Sequence, residues 1–446
     1  MKYKSTNQYE FSRFISCIFA ATLYMSATTP VLNAQDLYEP TALMLTWQYD
    51  PTTTMTIDWH TEPDHEADWT IYYKPVGSDE WQEAISFPHF FPYSDRVIHR
   101  VELTGLEQDT DYRFRVGEFE RAYKFRTMPA ELNGNRPLRF AIGGDTDSWI
   151  GYQGHPDGRV SFAMGDSHEG GNFYTMNKAV MEYDLDFVAW GGDLAYADGG
   201  RAPDRLPGRW YGWFDVIKHS LITEEGRVIP VIAAIGNHEV KRHVRSIWPK
   251  EETDAWRLAN APKYYHLFAF PGLPGYDVLD FGNYLSLFAL DSGHTNEFGG
   301  TQRDWLEKEL RERQRRNVDY IYPFYHTPGY PSVRSYGGSS AVSVRELWIP
   351  LFEKYGVEVA FENHDHAYKR THPIRNEEIS EDGIVYIGDG NWGKTPRDVH
   401  HVDETWYLAL AESVIHGIIV TLDGSSQDFL VIDKEGEIVD EYRIPH

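Results

Sequence analysis

The sequence contains a single cysteine, Cys17, in 446 residues. A lone thiol forms no intrachain disulfide and no thiolate cage, so any bound metal must take oxygen and nitrogen donors. Cationic charge is also scarce. Lys and Arg number 42 against 68 Asp and Glu, a formal charge of −26, which repels nucleic-acid backbones and excludes nucleic-acid binding by bulk electrostatics. There are no internal repeats and no low-complexity tracts. Long apolar runs are missing too, and none approaches the ~20 residues that span a bilayer. Aromatic residues are abundant at 15%, which marks an ordered β or mixed protein and not a disordered acidic chain.

The N-terminus carries Lys2, Lys4 and Arg13, then "FISCIFAATLYM", then "VLNAQD" with the small Ala34. This pattern reads as a secretory signal peptide over residues 1–34, with the mature chain beginning near Gln35 and the protein secreted or periplasmic. Cleavage takes Cys17 with it and leaves a thiol-free chain of charge −28, without a transmembrane segment. The length exceeds what one compact core usually holds, so two or three domains are expected.

From "ALMLTWQY" to "AYKFRTMP", short alternating segments recur at spacings of about ten residues, the pattern of a β-sandwich, here over 37–129. Trp47, Trp59 and Trp69 are expected to fill its core. "MPAELNGNRP" reads as a linker. Beyond Leu138, apolar runs alternate with helical stripes such as "TQRDWLEKELRERQ" and "VRELWIPLFEKYG", so 138–446 is expected to be a layered α/β domain.

What ends each buried run carries the chemistry. "LRFAIGGDTD" ends in Asp145 and Asp147, "LDFVAWGGDLAY" in Asp193 and Tyr196, "IPVIAAIGNHE" in Asn237 and His238, "DYIYPFYHTPG" in His326, and "VEVAFENHDH" in His364 and His366. If the last run stays extended, the two histidines share a face with Asp365 opposed. Layered sheets carry their sites at such a rim. Carboxylates, an amide and imidazoles suit borderline or hard ions. The donors outnumber one tetrahedral ion, so two metals sharing a carboxylate are inferred, the pair that clamps a phosphoryl displacement.

The ordered set "GGDTD", "GGDLAY", "GNHE", "FYHTPGY" and "NHDHAYKR" resembles the metallophosphoesterase (calcineurin-like) superfamily and, within it, the purple acid phosphatases. "LTGLEQDTDYRFRV" resembles the fibronectin type III pattern, in which Tyr112 packs on the turn residue Leu106. The resemblance implies an N-terminal all-β, fibronectin type III-like sandwich followed by an α/β domain of two packed sheets flanked by helices. It further implies that Asp145, Tyr196 and His366 hold ferric iron, that Asn237, His326 and His364 hold divalent iron, zinc or manganese, and that Asp193 bridges them. His238 would act as general acid to the leaving alkoxide, or stabilise the phosphoryl oxygens, in phosphate monoester hydrolysis through a metal-bound hydroxide. A phosphodiesterase or nucleotidase on the same centre is the alternative reading. A non-catalytic surface binding protein is disfavoured, because all seven metal positions carry competent donors.

Some positions depart from the family pattern. Asp147 stands where the family has glycine, as an added ligand or a hydrogen-bond acceptor; Pro323 and Asn363 are further variations. The loop after His326 lacks the phosphate-gripping histidines of plant members, and Arg334, Tyr336 or serines are candidates to replace them. The glycine-rich stretch 148–173 reads either as a lid offering His155, Arg159 or His168, or as a plain insertion.

Overall fold

A computed structural model describes residues 40–62, 69–132, 136–147, 153–154, 160–161, 171–197, 207–241, 244 and 247–445. The expected signal segment and the lid residues His155, Arg159 and His168 lie outside these residues.

The alternating N-terminal segments become eight strands. These are β1 (Met44–Thr46), β2 (Met55–Thr61), β3 (Thr70–Pro75), β4 (Gln82–Ile85), β5 (Phe87–Phe90), β6 (Val97–Leu103), β7 (Asp111–Val116) and β8 (Tyr123–Arg126). They pair antiparallel into two four-stranded sheets, β1-β2-β6-β5 and β4-β3-β7-β8. In β7, Tyr112, Phe114 and Val116 point inward while Asp111 and Arg113 face solvent, the period-two pattern of a strand with one wet face. Trp47 and Trp59 are fully buried, whereas Trp69 is half-buried and stacks on His99 at 3.9 Å. The Glu107 amide donates to the Tyr112 hydroxyl at 2.8 Å, and Tyr112 shares a core with Leu106.

Two larger sheets follow. In chain order come β9 (Leu138–Gly143), the short hairpin β10 (Gln153–Gly154) and β11 (Val160–Ser161), α1 (Asn172–Met181), β12 (Phe187–Trp190), α2 (Pro207–Ser220) and β13 (Val231–Ala233). Next are α3 (Asp254–Asn260), α4 (Pro262–Leu267), β14 (Asp277–Phe281), β15 (Leu285–Leu290), α5 (Gly300–Arg316), β16 (Tyr320–Tyr325), α6 (Ser339–Leu347), α7 (Ile349–Lys354) and β17 (Val359–Glu362). Finally come β18 (Tyr368–Thr371), β19 (Ile374–Arg375), β20 (Glu378–Ile379), β21 (Val385–Gly388), β22 (Leu408–Glu412), β23 (His416–Leu422), β24 (Ser426–Asp433) and β25 (Ile438–Pro445).

The first sheet runs β13-β12-β9-β23-β24-β25 and the second β14-β15-β16-β17-β21-β18-β22. β9, β12 and β13 are mutually parallel, as are β15, β16, β17 and β21. Alternation along the strands sorts their side chains. Phe140 and Ile142 of β9, Phe187 of β12, and Tyr322 and Phe324 of β16 meet in the layer between the sheets. Val188 and Trp190 face α1 and α2, and Phe288 and Leu290 of β15 face α5 and α6. Two sheets flanked by helices result, as expected.

The stripe "VRELWIPLFEKYG" was expected to be one helix, but it folds as α6 and α7, which break at Trp348. Pro350 has no N–H to extend the helix and its ring disfavours a helical residue before it. The buried stripe is consequently Val344, Trp348, Leu351, Phe352 and Tyr355, with Leu347 only half-buried. Among the described residues no helix is long and apolar enough to cross a membrane.

One consequence can be measured. Burial lowers the pKa of His99, held between Trp59 and Trp69, to about 4, below the ~6.5 of an unfolded histidine. Between those values the unfolded chain binds a proton that the folded chain does not, so this group's contribution to stability is present above pH ~6.5 and falls as pH drops toward 4. Thermal unfolding midpoints are expected to decline from pH 7 to pH 4.5, and to decline less steeply in His99→Gln; equal slopes would remove His99 from the account.

Candidate metal centre

The candidate ligands all sit just past the carboxyl ends of parallel strands. Asp145 follows β9, Asp193 and Tyr196 follow β12, Asn237 and His238 follow β13, His326 follows β16, and His364 and His366 follow β17. Asp145, Asp193, Tyr196, His364 and His366 have φ of 59°, 53°, 53°, 80° and 60°. Left-handed backbone at a non-glycine residue is sparsely populated, and its concentration here is the pattern of strain held at a functional site. The extended-chain expectation for the last motif does not hold, because β17 ends at Glu362 and the chain turns through 363–366. The two histidines therefore serve different neighbours, while Asp365 does point away, accepting from the Val333 and Arg334 amides at 2.7 and 3.0 Å.

The side chains converge in two groups. Tyr196 Oη lies 2.8 Å from Asp145 Oδ1 and 3.1 Å from His366 Nε2, and His366 Nε2 lies 2.9 Å from Asp145 Oδ1. In the second group, His326 Nε2 is 3.1 Å from Asp193 Oδ2 and 2.9 Å from His364 Nδ1. The ligand atoms of Asp193, His326 and His364 all lie within 4.8 Å of one another. Metal–ligand bonds of about 2.1 Å at right angles set neighbouring donors about 3 Å apart, so both groups have the spacing of coordination edges and their donors fit a metal pair. Asn237 and His364 line one cavity beside the second group.

Surrounding residues hold these donors in place. Buried Glu239 accepts from the amides of Gly236, Asp193 and Leu194 at 2.8, 2.9 and 2.8 Å, tying the ends of β12 and β13 together. Burial, then the Asp193 charge, pushes its carboxyl up to about 8. Gly236 lies so close that a Cβ there would overlap Asp193. His326 donates from Nδ1 to the Gly191 carbonyl at 3.0 Å; a carbonyl only accepts, so Nε2 is left facing the cluster. Burial works against a charge on His326, but the Asp193 and Asp145 carboxylates raise its pKa to about 9. Burial and then the His326 charge lower His364. Burial, with Asp145 beside it, holds the Tyr196 phenol well above its ordinary value.

Beneath the last motif, fully buried Lys369 pairs with Glu362 and stands 3.4 Å from Asp389. Burial pushes Asp389 up to about 8 against the pull of Lys369. Asp389 also accepts from the Ser332 amide at 2.7 Å, and its carbonyl accepts from the His366 amide at 2.9 Å. Asn363, the variant residue, donates to the Tyr325 carbonyl at 2.8 Å and fills the space left by Gly144 and Gly191. Asp147 lies outside both donor groups and pairs with Lys394 at 2.6 Å, whose ammonium sits 4.2 Å from the Tyr196 ring centre. Arg334 pairs with Asp365 and donates to the His364 carbonyl at 2.7 Å, so it clamps the turn. His238 donates its amide to Asp193 Oδ1 at 2.6 Å, and its ring centre lies 4.2 Å from that of Tyr196, tilted by 35°.

One histidine was missed from the sequence. His294 is buried, and its ring centre is 5.5 Å from that of His326. The signal was present in "LSLFALDSGHTN", a buried run that ends in polar donors like the others.

Residues 40–127 match the family model "Purple acid Phosphatase, N-terminal domain", and residues 162–368 match "Calcineurin-like phosphoesterase". The chain is a purple acid phosphatase-like protein with a calcineurin-like phosphoesterase domain. It is similar to purple acid phosphatase 13 of Arabidopsis thaliana, with 25% identity over 71% of this chain and 58% of the relative. It is also similar to the Fe(3+)-Zn(2+) purple acid phosphatase 12 of that plant, with 25% identity over 68% of this chain and 61% of the relative. The chain thus spans about three-fifths of the length of these curated relatives. The solved purple acid phosphatase from yellow lupin (Lupinus luteus) seeds shares the fold, with a TM-score of 0.68 and 17% identity over 91% of this chain and 74% of that one.

The buried charges beneath the last motif give a stability test. Lys369→Met leaves Glu362 and Asp389 buried without their cation, which costs about 3–5 kcal/mol. Denaturant unfolding should show a loss of that size, and a loss under ~1 kcal/mol would remove the lysine from the support of the turn.

Proposed function

We propose that the chain is an exported hydrolase of phosphate monoesters that works with two metal ions. The observation that carries this reading is the pair of donor groups, Asp145–Tyr196–His366 and Asp193–His326–His364, at coordination-edge spacing. In it, residues 37–129 are a scaffold domain and 138–446 carry the chemistry, after removal of a signal peptide over 1–34. Asp145, Tyr196 and His366 would hold ferric iron, which a phenolate oxygen favours. Asn237, His326 and His364 would hold divalent iron, zinc or manganese, with Asp193 available to both ions. When bound, such a pair supplies Lewis acidity to phosphoryl oxygens and lowers the pKa of water.

The protein's own groups complete the reaction. The His238 side chain retains 32% of its exposure, so a bound ester can reach it, and it gives a proton to the leaving alkoxide. Its anchored amide and the Tyr196 ring against its imidazole limit where that proton is delivered. The substrate is a small phosphate ester, since a net charge of −26 repels a nucleic-acid backbone at long range.

Elemental analysis of the purified protein should find two ions per chain including iron, with a violet absorption that disappears in Tyr196→Phe. No metal after reconstitution would overturn the reading. Side-by-side turnover should favour a monoester over a diester. His238→Ala is expected to lower kcat roughly 100-fold for an alkyl phosphate, a usual size for general acid catalysis, and much less for p-nitrophenyl phosphate, whose leaving group needs no proton. Equal losses on the two substrates would sink the acid role.

A further inference from the structure

Beside the second donor group lies a cavity of about 460 Å³, lined by Asn237, His364, His294, Ser292, Arg334 and Trp248 together with glycines, prolines and hydroxyl residues. In a chain with 68 acidic residues, no carboxylate lines this cavity among the described residues. Such a wall receives an anion without like-charge repulsion. Arg334, the only Lys or Arg in the described lining, is committed to Asp365 and the His364 carbonyl.

His294 is held as if for a purpose. The fully buried Asp291 carboxylate accepts from the amides of His294, Thr295 and Asn296 at 2.7, 2.8 and 2.8 Å, and from the Thr295 hydroxyl and the Asn296 side chain at 2.7 and 2.9 Å. These bonds fix the backbone of the loop that carries the imidazole. The Ser292 hydroxyl, which accepts from the Thr327 amide at 2.8 Å, meets His294 Nε2 at 3.2 Å. The ring is therefore tied to the residue that follows His326. His294 is not one of the three residues whose ligand atoms converge, Asp193, His326 and His364, but it stands one ring further out, edge-on to His326. That is the reach of an oxygen held at the second donor group, not of the ion itself.

We propose that His294 is a substrate-contacting residue of this centre, gripping the phosphoryl group of the ester that enters the cavity. This proposal rests on the phosphatase reading above. A buried imidazole placed before the substrate arrives stabilises anionic oxygens more than one in water does. The loop after His326 has no histidine, and the loop that follows β15 brings one to the same cavity.

The test titrates inorganic phosphate calorimetrically into metal-loaded wild type, His294→Ala and His294→Gln, with metals per chain counted for each protein and folding checked by circular dichroism. Metal content is expected to stay the same. Phosphate binding should weaken about tenfold in His294→Ala, the loss of one hydrogen bond to a charged group, with His294→Gln between. KM for p-nitrophenyl phosphate should rise by a similar factor. Equal phosphate affinity in folded, fully loaded variants would overturn the role of His294 while leaving the phosphatase reading intact. Loss of an ion from both variants would overturn it in favour of a ligand-holding role. Wild type that takes up no metal would overturn the phosphatase reading, and this proposal with it.

Discussion

Asp145 and Asp193 are the constraint around which this molecule is arranged. Both are buried essentially completely, and a carboxylate taken out of water is costly unless donors or cations meet it. The fold answers with main-chain amides, from His364 to Asp145 at 2.9 Å and from His238 to Asp193 at 2.6 Å, and with the imidazoles and the phenol that lean on them. Much of the surrounding structure serves to keep those groups aimed inward. Glu239 ties two strand ends, the Gly191 carbonyl orients His326, and Lys369 steadies the turn that carries His364 and His366.

Charge is distributed with the same economy. The chain is strongly acidic overall, but the cavity beside the second donor group is free of described carboxylates, and Arg334 and Lys394 near the centre are each paired with an aspartate. Long-range repulsion of polyanions and local reception of a small one are compatible, because fixed donors and bound ions set the field within a few ångströms while net charge acts at a distance.

The strand-end residues were legible because each followed an apolar run, and the position of a residue just past a strand is a local property of the chain. The sandwich was legible for the same reason, through its period of two. Other features depend on contacts that no local window contains. The turn at 363–366 breaks the strand where an extended reading put both histidines on one face. Trp348 ends a helix that periodicity carried through, although the proline two residues later was a readable cue. Lys369 looked like one more cation after a motif, and only the approach of Glu362 and Asp389 shows it as a buried counter-ion. β23, which pairs with β9 across most of the chain, lies too far away in sequence to be placed by pattern.

Trp47, just past β1, packs edge-on against Phe187 of β12 and against Phe281 of β14, at 5.9 and 5.8 Å. The N-terminal strands and the layer between the two mixed sheets therefore share one continuous apolar core. β12 is also the strand that Asp193 follows. The sandwich is thus part of the mount and not a tethered accessory: a change deep in its own packing reaches the floor of the centre through this indole and through Met44, Phe91 and Ile98, which share a second core with α2 and β13.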